Sequence, residues 1–342
     1  MANSITLFEQ YVPLLDEVYK EVSKTAVLDG NAELIKAGAN ANELVIPKMQ
    51  MDGLADYSRN SGYVGGDVTL TNETVPCNFD RGRMFTVDHM DDVESAGVAF
   101  GMLAGEFIRT KVAPELDAFR FAAYAGETGV GTASATLSTG ADVVSALRAA
   151  TNSMDESEVP MEDRVLFITP TLLGMVEDLD TSKSREVLSR FSQIVTVPQT
   201  RFYTAIEQRD GSSVGETGGG YVKYGNHYEE CLSTDAGALK VVADTDTPGA
   251  GEIKVGSVTP LADAAYTPAA NDYVRVVFGK DINFMAVHRG AVIQFPKHIA
   301  PKVVTPEMNP DADAWKFGYR QVGVADVYEN KTAGIYVHHK AS

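Results

Sequence analysis

The chain is poor in the residues that carry covalent and catalytic chemistry. It has only two cysteines in 342 residues, Cys77 and Cys231, too few for a disulfide framework, so two free thiols in a reducing compartment are expected. Its six histidines stand at 89, 227, 288, 298, 338 and 339, and none falls in an HExxH zinc pattern. His338 and His339 adjoin on a strand-like segment, which sends them to opposite faces and makes a shared metal difficult. Asp244 with Asp246, and Asp311 with Asp313, do not continue as EF-hand loops and read as solvated turns. No GxSxG elbow and no GxxxxGK[ST] phosphate loop is present. The GVG at 129–131 follows a helical pattern, lacks the remaining dinucleotide-binding glycines, and reads as linker. No catalytic residue, cofactor or metal is expected.

Positive charge is scarce as well. Against 47 Asp plus Glu there are 29 Lys plus Arg, a net charge of −18, which argues against a surface built to hold nucleic acid. No run approaches the ~20 apolar residues of a membrane-spanning helix. The opening MANSITLFEQYV lacks the basic and apolar regions of a secretion signal, so a cytoplasmic origin is expected. What is present is 44% hydrophobic residues, enough for a sizeable core in two domains or one elaborated one.

The chain is organised around residues 80–124. Its first third alternates as a strand, with Phe85 and Val87 on one side and Thr86 and Asp88 on the other. The period then changes. Val93, Ala96, Phe100, Leu103 and Phe107 recur at steps of three and four, a helical seam that Asp91 and Asp92 can cap. A second stripe follows at Val112, Leu116, Phe119 and Ala123. Pro114 removes a hydrogen bond between the two stripes, so a kink is expected there.

Periodicity alone fits a long helix in any α+β protein. The ordered residues say more: Asp80-Arg81-Gly82, Phe85, Asp88, Met90-Asp91 and Glu94, then Phe107-Ile108-Arg109, Lys111-Val112 and Pro114-Glu115-Leu116-Asp117-Ala118. This string resembles the major capsid proteins of tailed bacteriophages. The resemblance implies an α+β protein of the Hong-Kong-97-type capsid fold, in which this helix is the spine of a peripheral domain. Near the end, Lys297-His298, Pro301, Pro306, Asn309-Pro310, Trp315 and Tyr319-Arg320 resemble capsid sequences of phages of Gram-positive hosts. The likeness covers most of the chain and is weakest across 208–272.

Taken in order, residues 5–22 place Leu7, Tyr11, Leu14, Leu15, Val18 and Val22 on one helical face and Glu9, Asp16, Glu17 and Glu21 on the other. That acidic face does not suit a lipid surface. The segment reads as a helix packed on its own domain or, by the resemblance, as an N-terminal arm (1–40) along neighbouring subunits. Residues 41–78 read as an extended β-hairpin: a strand at 43–51 whose Pro47 suits an open edge, a Gly-rich tip, and a return strand from Val68. Such a hairpin has little core and gains order on a partner. Some phages of this fold weld the shell through a tip lysine, but the tip here has Arg59 and no lysine, and a guanidinium stays protonated. Asp56, Tyr57 and Arg59 are candidate contacts instead.

The peripheral domain is expected over 79–135 and an axial α/β domain over 136–282. In the latter, a linker spans 126–140, a helix 141–154 and a strand 164–168. Thr169-Pro170 opens the next helix, and β structure runs from 194 to 206. A β-rich insertion, or a plain meander, is expected at 208–272, with strands at 238–242 and 253–258. The C-terminal part, 283–342, is shared by both domains. Strands are expected at 273–278, 282–287 and 291–295, then a last hairpin of 322–328 and 334–338.

The resemblance implies a structural protein of the virion, assembled in the host cytoplasm. It would self-assemble into hexamers and pentamers and close an icosahedral shell around double-stranded DNA without sequence-specific binding. Closed symmetry lets one chain make a container from repeated contacts, and an acidic wall would not hold its DNA, although solubility explains the acidity equally simply. Arg81, Arg83, Asp88, Glu94 and Arg109 are candidate intersubunit ion-pair residues at the hairpin base. The chain begins with the arm and shows no long scaffolding segment, so a separate scaffolding protein and a portal are implied as partners. The alternative is an encapsulin-type bacterial compartment, which shares the fold and encloses an enzyme cargo. A more distant alternative is a cytosolic α+β enzyme or binding module.

Overall fold

The computed structural model describes residues 23–30, 36–37, 43–90 apart from 54, 58 and 61, 98–212, 218–225, 227–230, 233, 238–258 and 269–341. The expected N-terminal helix, the helix start at Asp91–Asp92, Glu94 and Cys231 lie outside these residues. Two compact units are present: one from residues 1–109 and 292–328, the other from residues 110–291 and 329–342.

In chain order, the first unit holds β1 (Lys36–Ala37), β2 (Glu43–Met51), β3 (Val68–Pro76), β4 (Phe79–Asp88) and α1 (Val98–Phe107). A five-residue π-helical turn, Ile108–Val112, follows, then α2 (Ala113–Gly126). The second unit continues with β5 (Gly131–Ser134), α3 (Gly140–Glu156), β6 (Arg164–Ile168), α4 (Pro170–Glu177), α5 (Ser182–Leu188) and β7 (Gln193–Thr196). Next come β8 (Ile206–Gln208), β9 (Tyr221–Lys223), β10 (His227–Glu230), β11 (Leu239–Val242), β12 (Glu252–Lys254), β13 (Tyr273–Val277) and β14 (Ile282–His288). The chain then returns to the first unit with β15 (Val292–Val304) and β16 (Ala314–Val327), and ends in the second with β17 (Ile335–His339).

The first unit is built on a three-stranded antiparallel sheet, β15–β16–β4. Alternation in β4 half-buries Phe85 and Val87 and exposes Thr86 and Asp88, as the period of two requires. Phe107 covers the Phe85 face, with ring centroids 4.8 Å from Phe85 and 6.3 Å from Tyr319. β15 runs well beyond the expected 291–295, through Pro296 and Pro301 to Val304. It tolerates those prolines because it is the edge strand, and the register shifts between Pro296 and His298.

Where a kink is expected at Pro114, the structure has the π-helical turn Ile108–Val112 just before it. Pro114 offers no amide and crowds the carbonyl four residues earlier, and a wider turn relieves both. Burial along α2 falls at Ala113, Leu116, Asp117, Ala118, Arg120, Phe121 and Tyr124; of the expected stripe Leu116 is buried, and Val112, Phe119 and Ala123 are half-buried. Asp117 and Arg120 hid the buried face, since charges do not read as core.

The second unit packs α3, α4 and α5 around a five-stranded sheet of order β5–β17–β14–β6–β7. β6 is buried along its whole length. Thr139 caps α3 through a reciprocal capping box with Asp142. Pro170 stands in the first turn of α4, but the Thr169 side chain makes no capping bond. The expected linker at 126–140 contains β5, which pairs parallel with β17. The expected last hairpin does not form: β16 pairs with β15 and β4, whereas β17 pairs with β14 and β5. The β run at 194–206 is broken by a 3-10 turn at Gln199–Arg201. Within the 208–272 segment, β11 and β12 stand at 239–242 and 252–254, in a four-stranded sheet of order β10–β13–β11–β12.

Candidate assembly surfaces

The hairpin of β2 and β3 is a nine-by-nine antiparallel ladder from Glu43↔Pro76 to Met51↔Val68. Among the described residues β1 pairs with Leu44 and Val45. At the far end Asp52 N–H donates to the Asp67 carbonyl at 3.2 Å, and Asp67 N–H donates to Asp52 Oδ2 at 2.8 Å. Beyond that clasp Tyr57 and Tyr63 meet edge to face at 4.9 Å. Tyr63 is 91% exposed, and Met51, Tyr57, Val64, Val68 and Leu70 are each more than 60% exposed. Among the described residues, six of the eleven large exposed apolar side chains lie on this one hairpin. Exposed apolar area gathered in one place marks a binding surface. Asp56 and Arg59 are exposed beside it.

The base of the hairpin is firm. Val75 is buried against Ile293 and Val324, with Cys77, Phe295 and Tyr328 packed around them. Asn78 bridges the turn into β4 with two bonds: Nδ2 donates to the Ala325 carbonyl at 2.7 Å, and Ala325 N–H donates to Oδ1 at 3.1 Å. The Asp80-Arg81-Gly82 string now has a physical account. Asp80 takes a two-pronged contact from Arg320, at 2.9 Å from Nε and 2.6 Å from Nη2. Those hydrogen bonds hold the Asp80 carboxyl below the usual range. Gly82 sits where a Cβ would come within 2.8 Å of the Tyr319 carbonyl oxygen, so only glycine fits without a shift.

Of the candidate ion-pair residues, Arg81 and Arg83 lie on β4, half-buried and exposed respectively. Asp88 accepts a bond from Met90 N–H at 2.9 Å. Arg109 pairs with Glu106 one turn earlier in its own chain, an exposed pair of small energetic weight. The tie that sequence reasoning did not assign is Asp80–Arg320, 240 residues apart. Alternation alone could not have matched them, because pairing across a sheet is set by register.

The second unit holds two further charged groups. Asp117 is fully buried and contacts Arg201 at 3.2 Å. Nearby, Tyr221 donates to the Thr200 carbonyl at 2.8 Å, and burial pushes its phenol up to about 12. Asp281 receives Lys223 at 2.7 Å and Lys340 at 3.1 Å. Partial burial raises its carboxyl, but the two lysine bonds bring it net below the usual range. These ties join α2 to the 3-10 turn at Gln199–Arg201, that turn to β9, and β9 to the residue just before β14.

His338 and His339 do point to opposite faces: His338 is buried and His339 half-exposed. The Asp244 carboxylate accepts Gly256 N–H at 2.7 Å, and Asp311 pairs with Lys316 at 2.6 Å. Among the described residues no group of three His, Cys, Asp or Glu is placed to hold a metal ion. Nor, among them, is a helix long and apolar enough to cross a membrane.

No family model matches the chain, and no curated protein matches it. Solved structures do. A structure titled "Mycobacterium phage Che8" is similar with a TM-score of 0.49 at 15% identity, over 92% of this chain and 89% of that one. "Gordonia phage Cozz" scores 0.49 at 12%, over 94% and 87%. "Capsid structure of the Cyanophage P-SCSP1u" scores 0.47 at 11%, over 90% and 86%. Likenesses this distant carry no functional weight by themselves, and function has to be read from the chain's own residues.

Proposed function

We propose that the chain is a structural shell subunit with the Hong-Kong-97-type capsid fold, which self-assembles into hexamers and pentamers that close an icosahedral phage head around double-stranded DNA. The observation that carries this reading is the hairpin. It is a two-stranded ribbon with a firm base, and its outer end holds most of the large exposed apolar side chains among the described residues. Such a ribbon is marginal alone and is completed by a partner. The residues that resemble capsid proteins also fall at ties within the fold: Asp80 with Arg320, Gly82 against Tyr319, and Pro114 beside the π-helical turn.

In this reading residues 1–40 are the arm, 41–78 the extended loop, and β4 with α1 and α2 the strand and spine of the peripheral domain. The axial domain is 136–282, with α3, α4 and α5 packed on the five-stranded sheet, and 208–272 is its insertion. A separate scaffolding protein and a portal complete the head. Asp56, Tyr57, Arg59, Arg81, Arg83, Asp88 and Glu94 are contact candidates between subunits. Arg109 is a weaker one, since Glu106 already engages it.

The test is light scattering and negative-stain microscopy of the purified chain, alone and with the scaffolding protein of its own phage. Closed shells, tubes or ring-shaped capsomers are expected. A compact monomer at every concentration under both conditions refutes the reading. Shells enclosing a host enzyme move it to a bacterial compartment. A chain carrying Arg81→Glu that assembles as the parent does removes Arg81 from the contacts.

A further inference from the structure

The two rims of the five-stranded sheet, β5 and β7, lack the guards that the other sheets carry. A strand at the end of a sheet shows a row of unpaired amides and carbonyls, and charge or proline there keeps other chains from pairing with it. Among the described residues every other strand that ends a sheet carries a charged side chain or a proline, from Lys36 on β1 and Glu73 on β3 to Glu252 on β12 and Pro301 on β15. β5 and β7 carry neither. The neutral runs extend past both strands: residues 128–141 and 191–197 contain no charged residue and no proline.

The rims also match in direction and in face. β5 runs parallel to β17 and β7 parallel to β6, and the two antiparallel steps through β14 leave β5 and β7 pointing the same way. Ala135 N–H donates to the His339 carbonyl at 3.2 Å, on the β17 side. Backbone groups alternate between the two edges of a strand, so those of Thr132 and Ser134 point to the open side. Both side chains are exposed, while Ala133, Ala135 and Leu137 are half-buried, and Leu137 packs on the core beneath the helices. On the other rim Ile194 packs on that same core.

We infer that β7 of one copy pairs in parallel with β5 of the next, so that the five-stranded sheets of neighbouring copies join edge to edge around a ring. This rests on the shell reading above, whose hexamers and pentamers are rings, and adds the strands that join them.

A second copy is the occupant because it brings the matching edge. At −18, copies repel over most of their surface, and the neutral rims let them meet without bringing carboxylates together. The first charges flanking the runs are Glu127 and Asp142 about β5, and Arg190 and Arg201 about β7. Parallel pairing sets acid beside base at both ends, although Arg190 and Arg201 already engage Asp155 and Asp117, so these flanks steer the approach more than they hold it. Pairing β5 with β5 across a two-fold axis runs antiparallel, brings Glu127 toward Asp142, and leaves both β7 rims bare. A head-to-tail contact uses one rim of each kind and can close as a ring in which no neutral rim stays open. It also sets Ile194 beside the small Ala133 and Ala135, which carries the apolar layer across the seam.

The experiment compares full-length chains with equal changes of charge. Thr132→Lys with Ser134→Lys guards the β5 rim, and Ser145→Lys with Asn152→Lys adds the same two charges on the outer side of α3. All four side chains are exposed, so both variants are expected to melt as the parent does. The first pair raises the concentration needed for assembly by about tenfold or more, and the second leaves it within about threefold of the parent. Cysteines then locate the partner strand. Thr132 and Val195 stand in one row of the sheet, through Val337, Met285 and Phe167, and Ser134 is the next residue along that face. Val195→Cys combined with Thr132→Cys or with Ser134→Cys gives, on oxidation, a covalent ladder up to the size of the ring, beyond any formed by a parent with Cys77 and Cys231. Equal effects of the two lysine pairs, or damage by the α3 pair alone, overturn the rim as the contact. Dimers from Thr132→Cys alone set β5 against its own copy and overturn the head-to-tail pairing, as does the absence of a ladder from both double variants. A parent that forms neither rings nor shells refutes the shell reading and the pairing with it, whereas a parent whose assembly is unchanged by Thr132→Lys and Ser134→Lys refutes the pairing alone.

Discussion

His338 sets an acid limit on the five-stranded sheet. It is 3% exposed, stacks on Phe284 with centroids 5.0 Å apart, and lies 3.0 Å by Nδ1 from Asn283 Nδ2. With the amide donating, Nδ1 is the acceptor and the ring is neutral, an assignment made from the hydrogen bond. Burial, helped by neighbouring His339, pushes its pKa down from 6.5 to about 4. Between these values the unfolded chain binds a proton that the folded chain refuses, so stability is lost as pH falls below the unfolded pKa and levels off below the folded one. Integrating that difference gives a loss of about 2 kcal/mol by pH 5 and about 3 kcal/mol by pH 4, relative to pH 7. Carboxylates titrate over the same range, so the measurement is a difference between chains. Urea midpoints of the dissociated parent and of His338→Gln are compared at pH 7, 5.5 and 4.5. The parent is expected to start more stable and to lose its lead as pH falls. Parallel decline of the two, with a constant gap, would falsify the buried neutral histidine.

Three other substitutions test the same geometry. Gly82→Ala forces a methyl against the Tyr319 carbonyl and the Arg320 backbone and is expected to cost about 1–3 kcal/mol in unfolding free energy; an unchanged melting temperature counts against the close approach. Asn78→Ala removes both bonds to Ala325 and is expected to cost about 1–2 kcal/mol. Faster hydrogen exchange at Ala325 is its specific signature, and protection equal to the parent refutes the bridge. Asp281→Ala releases Lys223 and Lys340 from a quarter-exposed carboxylate, for about 1 kcal/mol at low salt and less at high salt. A loss that does not depend on salt means the carboxylate acts through packing instead.

Local pattern made much of this fold legible. β2 was expected at 43–51 and β6 at 164–168, and both stand at those bounds, because alternation and a short buried run are properties of neighbouring residues. The helix expected at 141–154 is α3, one to two residues longer at each end. Errors arose where distant chain decided the outcome. Gly131–Ser134 has the composition of a linker and became a strand because β17 offers it an edge. The last two strands looked like a hairpin because they are close in sequence, yet β16 pairs with β15 and β4, and β17 with β14 and β5. Asp117 and Arg120 disguised the buried side of α2, since a buried charge is acceptable only with partners that no local window contains.

The sequence by itself determined several of the elements, the acidity, and an extended hairpin with little core of its own. Side-chain alternation even divided Val68 and Leu70 from Val75. The tertiary structure decided which face the body uses, through Ile293 and Val324 more than two hundred residues away. It also decided that Arg320 answers Asp80 and that Met84 lies bare beside Lys302. Strand period is a local steric property, whereas register, pairing and exposure depend on the whole chain's burial, and so the surface available to a partner is visible only once the sheets have closed.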